Sequence, residues 1–527
     1  MSSSSSPAAV AQARPAPPPA RALPGGLAAF LVFFSSGAVL VLETVSLRLV
    51  GPYVGVTLEV TSSVIGIALG AIAYGAWTGG WLADRRDPRA LIAPALVLAG
   101  IATAVTLPVV RYAGEVLRGG AASAVLLLTA LAVFVPAALL AAVTPLVVKL
   151  QLADLRRTGQ VVGRLSGIGT LGGITATLLT GFVLVAALPS SLILLALAVL
   201  LGGTGLGLGA YLHRQGRVGL PGPGGGRTGL PGPGRTKAVL AVLGLAGAGL
   251  TTVAPNPCDV ETAYHCASVE TDPARPSGRT LLLNSAQHSY VDLADPTHLE
   301  YAYTQWIGAA ADVAAPAGRR LDALHLGGGG FTVPGYLTAT RPGTDNAVFE
   351  IDGGLVELDR RELGVRTGPG LRAEVGDARV LLGAEAADSR DLVVGDAFGH
   401  LVVPWHLATR EMAVEINRVL RPGGIYVQNV IDYPPGRFVR SEVATVAAAF
   451  RHVALVAPPD AVAGRTGANF LVVASDAPLP LAPLAQRINA LPEAAIVLSG
   501  DVLTSFVGDA LVLTDDYAPV DQLLATA

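Results

Sequence analysis

Six long apolar runs occupy the first part of the chain and constrain its fold more than any other feature. A membrane-spanning helix needs about 20 mostly apolar residues, and runs that qualify lie at 27–50, 58–82, 90–110, 121–147, 168–188 and 190–211. Only 14% of the 527 residues are charged, against roughly a quarter in ordinary soluble domains. A seventh run at 238–254 is shorter and glycine-rich. The sequence therefore predicts six to seven transmembrane helices.

Positive charges alternate from one loop to the next. They follow the second, fourth and sixth runs, at Arg85, Arg86, Arg89, Lys149, Arg156, Arg157, Arg164, Arg214, Arg217, Arg227, Arg235 and Lys237. The intervening loops carry only Arg111 and Arg118. Because basic loops stay in the cytoplasm, we expect a multi-pass protein of the cell membrane with a cytoplasmic N-terminus. If the seventh run also spans, the rest of the chain emerges on the outer face.

The two cysteines, Cys258 and Cys266, follow the seventh run. On the outer face they are able to form a small disulfide, whereas on the inner face they would stay reduced. Two cysteines exclude a Cys-rich metal site, and no histidine spacing indicates metal ligands, so no metal is expected. The formal net charge of −3 argues against a general nucleic-acid binder.

An acid lies inside the first apolar run, at Glu43. An intramembrane carboxylate is a functional candidate by default. The structural alternative, which we favour, is that Glu43 lies near the outer interface and pairs with Arg48.

The second half of the chain has the composition of a globular α/β domain. "RTLLLNS" and "HSYVDL" predict a short hairpin, and strands follow at "DALHLGGGG", "NAVFEID", "LRAEVGD", "RDLVVGDAF", "GGIYVQNVI", "HVALVAP" and "ANFLVVAS". Helical stretches lie between several of them, most clearly "PWHLATREMAVEINRVL". Such alternation predicts a mostly parallel, doubly wound sheet.

Four successive glycines end the first core strand, in "LHLGGGGF". An open α/β sheet places its ligand crevice at that point, and glycines let backbone N–H groups approach a ligand closely. Gly327, Gly328 and Gly329 are therefore predicted ligand contacts. Glu350 ends the next strand, where a carboxylate can accept hydrogen bonds from both ribose hydroxyls. The spacing departs from G-x-G-x-x-G, which favours a nucleoside without pyrophosphate.

Two further acids follow the third and fourth strands at the same edge of the sheet. Asp377, with the adjoining Ala378, is a candidate contact of an adenine amino group, although it could equally cap the following helix. Asp396 comes at the sheet centre. The alternative is that it merely opens a loop, but an acid in that position has no structural need to be there, so we predict a functional role.

The segment 278–473 resembles the spermidine synthase (polyamine aminopropyltransferase) family. "LHLGGGG", "VFEIDGG", "GDARVLL", "LVVGDAFG" and "LRPGGIYVQN" carry the likeness, and "FSSGAVLVLETVSLRLVG" is similar to the first membrane helix of membrane-fused bacterial members. The resemblance implies a Rossmann-like sheet of the class I methyltransferase type. It also implies transfer of an aminopropyl group from decarboxylated S-adenosylmethionine, as co-substrate, to an amine such as putrescine, with no tightly bound cofactor.

The same resemblance assigns roles to individual residues. Glu350 would hold the donor ribose, Asp377 the adenine, and Asp396 would be an acid near the attacking nitrogen. Gly330 and Gly399 stand where the family has aspartates, which puts the amine half of the site in doubt.

The family also has a tyrosine and a neighbouring polar residue before the core. They map roughly onto Leu299 and Glu300, so the tyrosine is missing from that position. Glu300 and Gln287 are the candidate amine contacts, and Asp292, Asp295 or Asp432 are other possible replacements for the lost acids.

These observations divide the chain into a disordered tail at 1–26, a membrane domain at 27–254 with a Gly/Pro linker at 213–237, a lead-in hairpin region at 255–306 and a nucleoside-binding domain at 307–527. The leading hypothesis is a membrane-anchored aminopropyltransferase. The alternatives are a methyltransferase-like enzyme that uses S-adenosylmethionine, and a catalytically degenerate sensor or transporter that binds nucleoside or polyamine. The expected partners are the lipid bilayer and these small molecules, and small residues in the helices leave a homodimer open.

Overall fold

A computed structural model describes residues 23–55, 58–118, 122–152, 155–217, 254–284, 286–398 and 403–524. The predicted tail, the Gly/Pro linker and the seventh apolar run lie outside the described residues except at their ends, as does Gly399.

Long helices form the first part of the chain. They are α1 (Gly25–Val54), α2 (Leu58–Arg85), α3 (Pro88–Leu117), α4 (Ala122–Ala141), α5 (Val143–Gln151), α6 (Thr158–Leu179), the short α7 (Val185–Ala187) and α8 (Ser190–Arg217). A π-turn, Thr180–Leu184, joins α6 to α7. Within the described ranges, six continuous helical stretches are long and apolar enough to cross a membrane. This confirms the six apolar runs.

The membrane helices approach one another at glycines. A Cβ atom on Gly75 of α2 would lie 2.1 Å from the carbonyl oxygen of Ala138, and one on Gly172 of α6 would lie 2.2 Å from that of Phe33. Small residues at such crossings let two backbones come into van der Waals contact, which is the main attraction between helices in lipid.

A small antiparallel sheet opens the soluble part of the chain. Its strands are β1 (Val260–Glu261), β2 (Cys266–Thr271), β3 (Gly278–Leu283) and β4 (Ala286–Asp292), in the order β1-β2-β3-β4. The predicted hairpin is β3–β4, and β1 and β2 extend it. Cys258 and Cys266 form a disulfide at a Cα–Cα distance of 5.2 Å.

The main sheet has eight strands in the order β12-β10-β11-β9-β8-β5-β6-β7. They are β5 (Asp322–Leu326), β6 (Asp345–Glu350), β7 (Leu371–Val375), β8 (Arg390–Gly395), β9 (Leu420–Asp432), β10 (His452–Ala457), β11 (Ala468–Ser475) and β12 (Ile496–Ser499). Strands β5 to β9 are parallel, and β10, β11 and β12 are antiparallel to their neighbours. The Rossmann-like fold class is confirmed.

Helices cover both faces of this sheet. They are α9 (Ala302–Ala314), α10 (Thr332–Thr340), α11 (Gly353–Glu362), α12 (Ala378–Leu382), α13 (Arg410–Val419), α14 (Arg437–Ala447), α15 (Pro459–Val462), α16 (Leu481–Asn489), α17 (Gly500–Val507) and α18 (Val520–Leu524). Because both faces are covered, β5 and β8 are buried along most of their length without alternation, as parallel strands usually are.

The helix predicted over "PWHLATREMAVEINRVL" is shorter in the structure. A 3-10 turn, Trp405–Leu407, comes first, and α13 begins only at Arg410. The break follows from Thr409, whose side chain accepts a hydrogen bond from the backbone N–H of Met412 and so caps α13.

The soluble part packs against one end of the membrane helices. The Arg48 guanidinium of α1 lies 3.4 Å from the Glu261 carboxylate, and Arg111 of α3 donates a hydrogen bond of 3.1 Å to Asn256. Glu261 also accepts a hydrogen bond of 3.0 Å from the backbone N–H of Ser190, where α8 begins. The expected pairing of Arg48 with Glu43 is therefore wrong, because Arg48 is turned toward the soluble part.

The opposite end of the helices carries the basic loops. Lys149 of α5 lies 2.7 Å from Asp84 of α2, and Gln151 donates a hydrogen bond of 2.7 Å to the carbonyl of Leu23, next to the start of α1. The 30 residues of α1 rise about 45 Å. The first described residues and the soluble part therefore lie at opposite ends of the helices.

We predict that cysteines introduced at Glu270, in the exposed last part of β2, and at Arg157, in a basic loop, face opposite sides of the membrane. The disulfide keeps the native cysteines from reacting, so each variant of the full chain offers one thiol. Because basic loops are retained in the cytoplasm, a membrane-impermeant maleimide should label Glu270→Cys in intact spheroplasts and Arg157→Cys only after permeabilisation. Labelling of both from one side would contradict the packing of the two parts. Labelling in the reverse sense would contradict the charge rule alone.

Candidate functional site

The glycine turn at the end of β5 has a conformation that side chains would oppose. Gly327 has φ of +96° and Gly329 of +47°, the left-handed region. A Cβ atom on Gly327 would lie 2.5 Å from the carbonyl oxygen of Asp396, at the end of β8. The turn therefore lies against the neighbouring strand end, and only glycine fits at Gly327.

The Glu350 carboxylate points into this turn. Its Oε2 accepts a hydrogen bond of 2.8 Å from the backbone N–H of Gly328, and its Oε1 accepts one of 3.0 Å from that of Asp352. The side chain is buried. Each carboxylate oxygen has two lone-pair sites, so both oxygens can still accept a hydrogen bond from a ligand.

A cavity of about 190 Å³ opens beside the turn. Of the predicted nucleoside contacts, it is lined by Gly327, Gly329, Glu350, Asp377 and Ala378, and Asp396 also lines it. Gly328 is the exception, because its N–H is directed at Glu350. Strand ends distant in sequence therefore converge at one edge of the sheet, as open α/β sheets require.

Asp377 caps the following helix, which was the structural alternative, and its contact with adenine stays a prediction. Its Oδ1 accepts a hydrogen bond of 2.8 Å from the backbone N–H of Arg379, which caps α12. Its other oxygen, Oδ2, lies 3.1 Å from Nε2 of His406. His406 lines the same cavity, and nothing in the sequence pattern had singled it out.

Asp396 is held by polar side chains from other elements. Its Oδ1 accepts a hydrogen bond of 2.8 Å from Asn429 of β9, whose own Oδ1 accepts one of 2.9 Å from Asn469 of β11. The Tyr303 hydroxyl of α9 also hydrogen-bonds to Asp396. Burial raises the pKa of the Asp396 carboxyl to about 6, although the hydrogen bonds from Asn429 and Tyr303 act in the opposite direction.

A second cavity of about 630 Å³ lies on the other side of Asp396. The two cavities share His288, Gly329, Asp396 and Phe398. The second contains both predicted amine contacts, Glu300 and Gln287, together with Glu493. No lysine or arginine is among the described residues that line it, so its charged groups are carboxylates.

Aromatic side chains also line the second cavity. Tyr301, Tyr303 and Trp306 contribute to its wall, and the rings of Tyr301 and Tyr303 stack with centroids 6.1 Å apart. Two tyrosines thus line this cavity two and four residues after Leu299, the position at which the family's tyrosine is missing. The signal was present in "LEYAY", but only the start of α9 after Tyr301 directs both rings to one side.

The fourth glycine does not face the ligand side of the turn. Gly330 is buried, and its N–H donates a hydrogen bond of 2.9 Å to the Ser289 hydroxyl of β4. A Cβ atom on Gly330 would lie 2.9 Å from Cβ of Ser289. Close contact with the small sheet therefore occupies the space that an aspartate side chain would need.

The other proposed replacement acids are engaged elsewhere. Asp292 lies 2.5 Å from the Arg275 guanidinium. The Asp432 carboxylate accepts hydrogen bonds from the backbone N–H groups of Tyr433 and Val439. Asp295 accepts from Thr297. None of the three lines either cavity, so the structure does not support a role for them in amine binding.

Comparison with known proteins gives one curated relative. The chain is 30% identical over 116 residues to a polyamine aminopropyltransferase of Vibrio vulnificus, and the shared segment is 22% of this chain and 38% of that protein. The chain thus spans well under half the length of the curated relative that it matches. No family model matches the chain.

Solved structures similar to this one include two spermidine synthases. A "probable spermidine synthase" from Corynebacterium glutamicum is 27% identical with a TM-score of 0.46, covering 49% of this chain and 95% of that chain. The enzyme of Thermotoga maritima is 14% identical with a TM-score of 0.32, over 46% of this chain and 80% of that chain. Human methyltransferase-like protein 13 is 15% identical with a TM-score of 0.29, over 42% of this chain and 96% of that chain.

The order of the motifs resembles that of the spermidine synthase family, and the local identity is to a polyamine aminopropyltransferase. The strands that carry those motifs meet at one edge of a Rossmann-like sheet. The α/β domain is therefore similar over part of its length to a polyamine aminopropyltransferase, and it is joined to six apolar helices long enough to cross a membrane.

Proposed function

We propose that the chain is a membrane-anchored aminopropyltransferase that uses decarboxylated S-adenosylmethionine as donor and a polyamine such as putrescine as acceptor. The observation that carries the proposal is the position of Asp396. Asp396 lies where the cavity that contains Glu350, the predicted ribose contact, meets the cavity lined by acids and aromatic rings.

The donor would occupy the cavity beside the glycine turn. Glu350 would accept hydrogen bonds from the ribose hydroxyls, and the turn of Gly327 and Gly329 would let the backbone lie against the nucleoside. Asp377 and Ala378 would contact the adenine. The donor is a co-substrate here and no tightly bound cofactor is required.

The acceptor would occupy the second cavity. Its acids, Glu300 and Glu493, would attract cationic amines, and the faces of Tyr301 and Trp306 offer cation–π contacts. Gln287 would add a hydrogen bond. One amine would then lie next to Asp396, within reach of a donor held on the other side.

The reaction follows from that juxtaposition. The amine lone pair attacks the methylene carbon bonded to the donor sulfonium, a C–N bond forms, and the C–S bond breaks to release methylthioadenosine. The new ammonium gives its proton to the Asp396 carboxylate. Tyr303 supports the base by donating a hydrogen bond, since burial and the Asp396 charge hold the pKa of its hydroxyl well above 10.

A second candidate function is nucleoside and polyamine binding without turnover. It is favoured by Gly330, which packs against Ser289 where the family has an aspartate. With one acid fewer, the site would hold the acceptor less firmly in line with the donor. A soluble part on the outer face would also favour this candidate, because intracellular donor would be out of its reach.

Replacing Asp396 with asparagine should lower the rate of methylthioadenosine formation by about a hundredfold or more, the usual contribution of a general base. The assay mixes the full-length protein in lipid nanodiscs with decarboxylated S-adenosylmethionine and putrescine and follows product by chromatography. Asp388→Asn, at the opposite end of β8, is the matched control and should match wild type. If the wild-type protein binds nucleoside tightly but forms no product, the transferase proposal is wrong and the second candidate function is supported.

The pH profile of kcat/KM should report the titration of the Asp396 carboxyl. A base must be deprotonated to accept the amine proton, and the pKa of this group is raised to about 6. We therefore expect the rate to fall about tenfold per pH unit below about pH 6 and to level off above it. Tyr303→Phe removes a hydrogen bond that favours the charged form, so its midpoint should move upward. A midpoint that is unchanged in Tyr303→Phe would disprove the assignment of this titration to Asp396.

Glu350→Gln should weaken binding of methylthioadenosine by roughly tenfold to a hundredfold, because hydrogen bonds to a charged group contribute about 1.5–3 kcal/mol. The glutamine amide would also place a donor against a backbone N–H of Gly328 or Asp352. Glu374→Gln, on the adjacent strand β7, is the control and should bind like wild type. Calorimetry on the full chain measures both, and equal affinities for the two variants would exclude Glu350 from the nucleoside site.

A further inference from the structure

We propose that the membrane helices help to form the donor-binding site, and that Arg48 of α1 is a positioning residue for the Glu350 carboxylate. The inference rests on the proposed function in one respect, that the cavity beside Glu350 takes a nucleoside. It adds that the membrane helices take part in forming this binding site and are more than an anchor.

The Arg48 guanidinium joins the membrane helices to the first strand of the soluble part. It donates a hydrogen bond of 3.1 Å to the carbonyl of Val185 and a short one to the carbonyl of Thr262. It also lies 3.4 Å from the Glu261 carboxylate, and both side chains are at most one-fifth exposed. A charge removed from water in this way is strongly destabilising when it loses its partners, so the contact holds β1 in place.

A second membrane helix holds the same strand. The Glu261 carboxylate accepts a hydrogen bond of 3.0 Å from the backbone N–H of Ser190 and a short one from the Ser190 hydroxyl. Ser190 begins α8, where the helix dipole favours a negative charge. Arg48 near the end of α1 and Ser190 at the start of α8 therefore both contact Glu261 of β1.

Thr262 carries this contact into the soluble domain. Its carbonyl accepts from Arg48, and its hydroxyl makes a short hydrogen bond to Oδ2 of Asp352. Nδ1 of His265 lies 3.1 Å from the same oxygen. Asp352 has no exposed surface, so its position is determined by these partners and by the helix that it caps.

Asp352 is in turn hydrogen-bonded directly to the Glu350 carboxylate, the proposed nucleoside contact. Its Oδ1 accepts from the backbone N–H groups of Gly354 and Leu355 at the start of α11, and its own N–H donates a hydrogen bond of 3.0 Å to Oε1 of Glu350. A Cβ atom on Gly354 would lie 3.0 Å from the Thr262 side chain. A shift of Thr262 would thus be transmitted to Asp352 through both hydrogen bonding and packing.

The contacts form one continuous path from α1 to the glycine turn. It runs from Arg48 through Thr262, Asp352 and Glu350 to the N–H of Gly328. The acceptor cavity does not lie on this path, because its acids Glu300 and Glu493 come from other elements. We therefore expect changes at Arg48 to alter donor affinity and to leave the acceptor KM unchanged.

The chain offers matched variants at the first two residues of the path. Arg48→Gln removes the charge and Arg48→Lys retains it, although lysine lacks the fork that reaches two carbonyls at once. Thr262→Val removes the hydroxyl that contacts Asp352 but keeps the backbone carbonyl and the shape, and Thr262→Ser restores the hydroxyl. Arg111→Gln is the control, since Arg111 also joins a membrane helix to the soluble part but contacts Asn256, off the path.

The experiment measures methylthioadenosine binding by calorimetry, and the donor and acceptor KM values, on full-length protein in nanodiscs. We expect Arg48→Gln and Thr262→Val each to weaken nucleoside binding about tenfold, with Arg48→Lys intermediate and Thr262→Ser close to wild type. The double variant should lose less than the product of the two single losses, because residues on one path are not independent. Arg111→Gln should bind like wild type.

The outcomes separate the inference from the proposed function. A wild-type protein that binds no nucleoside overturns both. If wild type binds and Arg48→Gln and Thr262→Val bind equally well, the inference is wrong and the proposed function stands. Should Arg48→Gln fail to fold, Thr262→Val decides, because it leaves every Arg48 contact in place. A loss that appears equally in donor and acceptor KM would indicate general destabilisation and would also overturn the inference.

Discussion

The hydrogen bond between the Gly328 N–H and the Glu350 carboxylate is the contact on which the site depends. It ties the end of β5 to the end of β6 and fixes a buried carboxylate against a turn in which Gly327 cannot carry a side chain. Buried polar groups need hydrogen-bond partners. Two backbone N–H groups supply them here, and Glu350 still lines the cavity. The geometry suits hydroxyl groups on one small ligand.

Asp396 gives this binding site its proposed chemistry. The group lines two cavities of different character, one beside the glycine turn with Glu350 and Asp377, and one with Glu300, Glu493 and aromatic rings. Burial alone would raise its pKa further, and Asn429 and Tyr303 offset part of that effect by hydrogen bonding to the charged form. A carboxyl adjusted in this way can be deprotonated near neutral pH and still accept a proton from an amine.

The junction between the membrane helices and the soluble domain follows the same physical rule as the site. Arg48 and Glu261 are shielded from water, and each finds several partners, so the two parts are joined by charge-assisted hydrogen bonds at defined positions. The strand held in this way, β1, begins the small sheet that lies over the glycine turn. The residues that join the apolar helices to the α/β domain are therefore connected by hydrogen bonds to Glu350.

The sequence by itself determined the features that depend on local pattern. Apolar runs of membrane-spanning length, the order of the strands, and the spacing from the glycines to Glu350 could all be read directly, because each is set by neighbours along the chain. The clustering of Glu350, Asp377 and Asp396 at one edge also followed, since the carboxyl ends of parallel strands meet there.

Only the tertiary structure decided the rest. Asn429 of β9 donates to Asp396 and in turn accepts from Asn469 of β11. The start of α9 directs Tyr301 and Tyr303 into the second cavity, and Arg48 pairs with Glu261, more than two hundred residues away. The expected Arg48–Glu43 pair was wrong for the same reason. Contacts between residues far apart in sequence arise from how helices and sheets pack, and no local periodicity encodes which polar side chains that packing brings together.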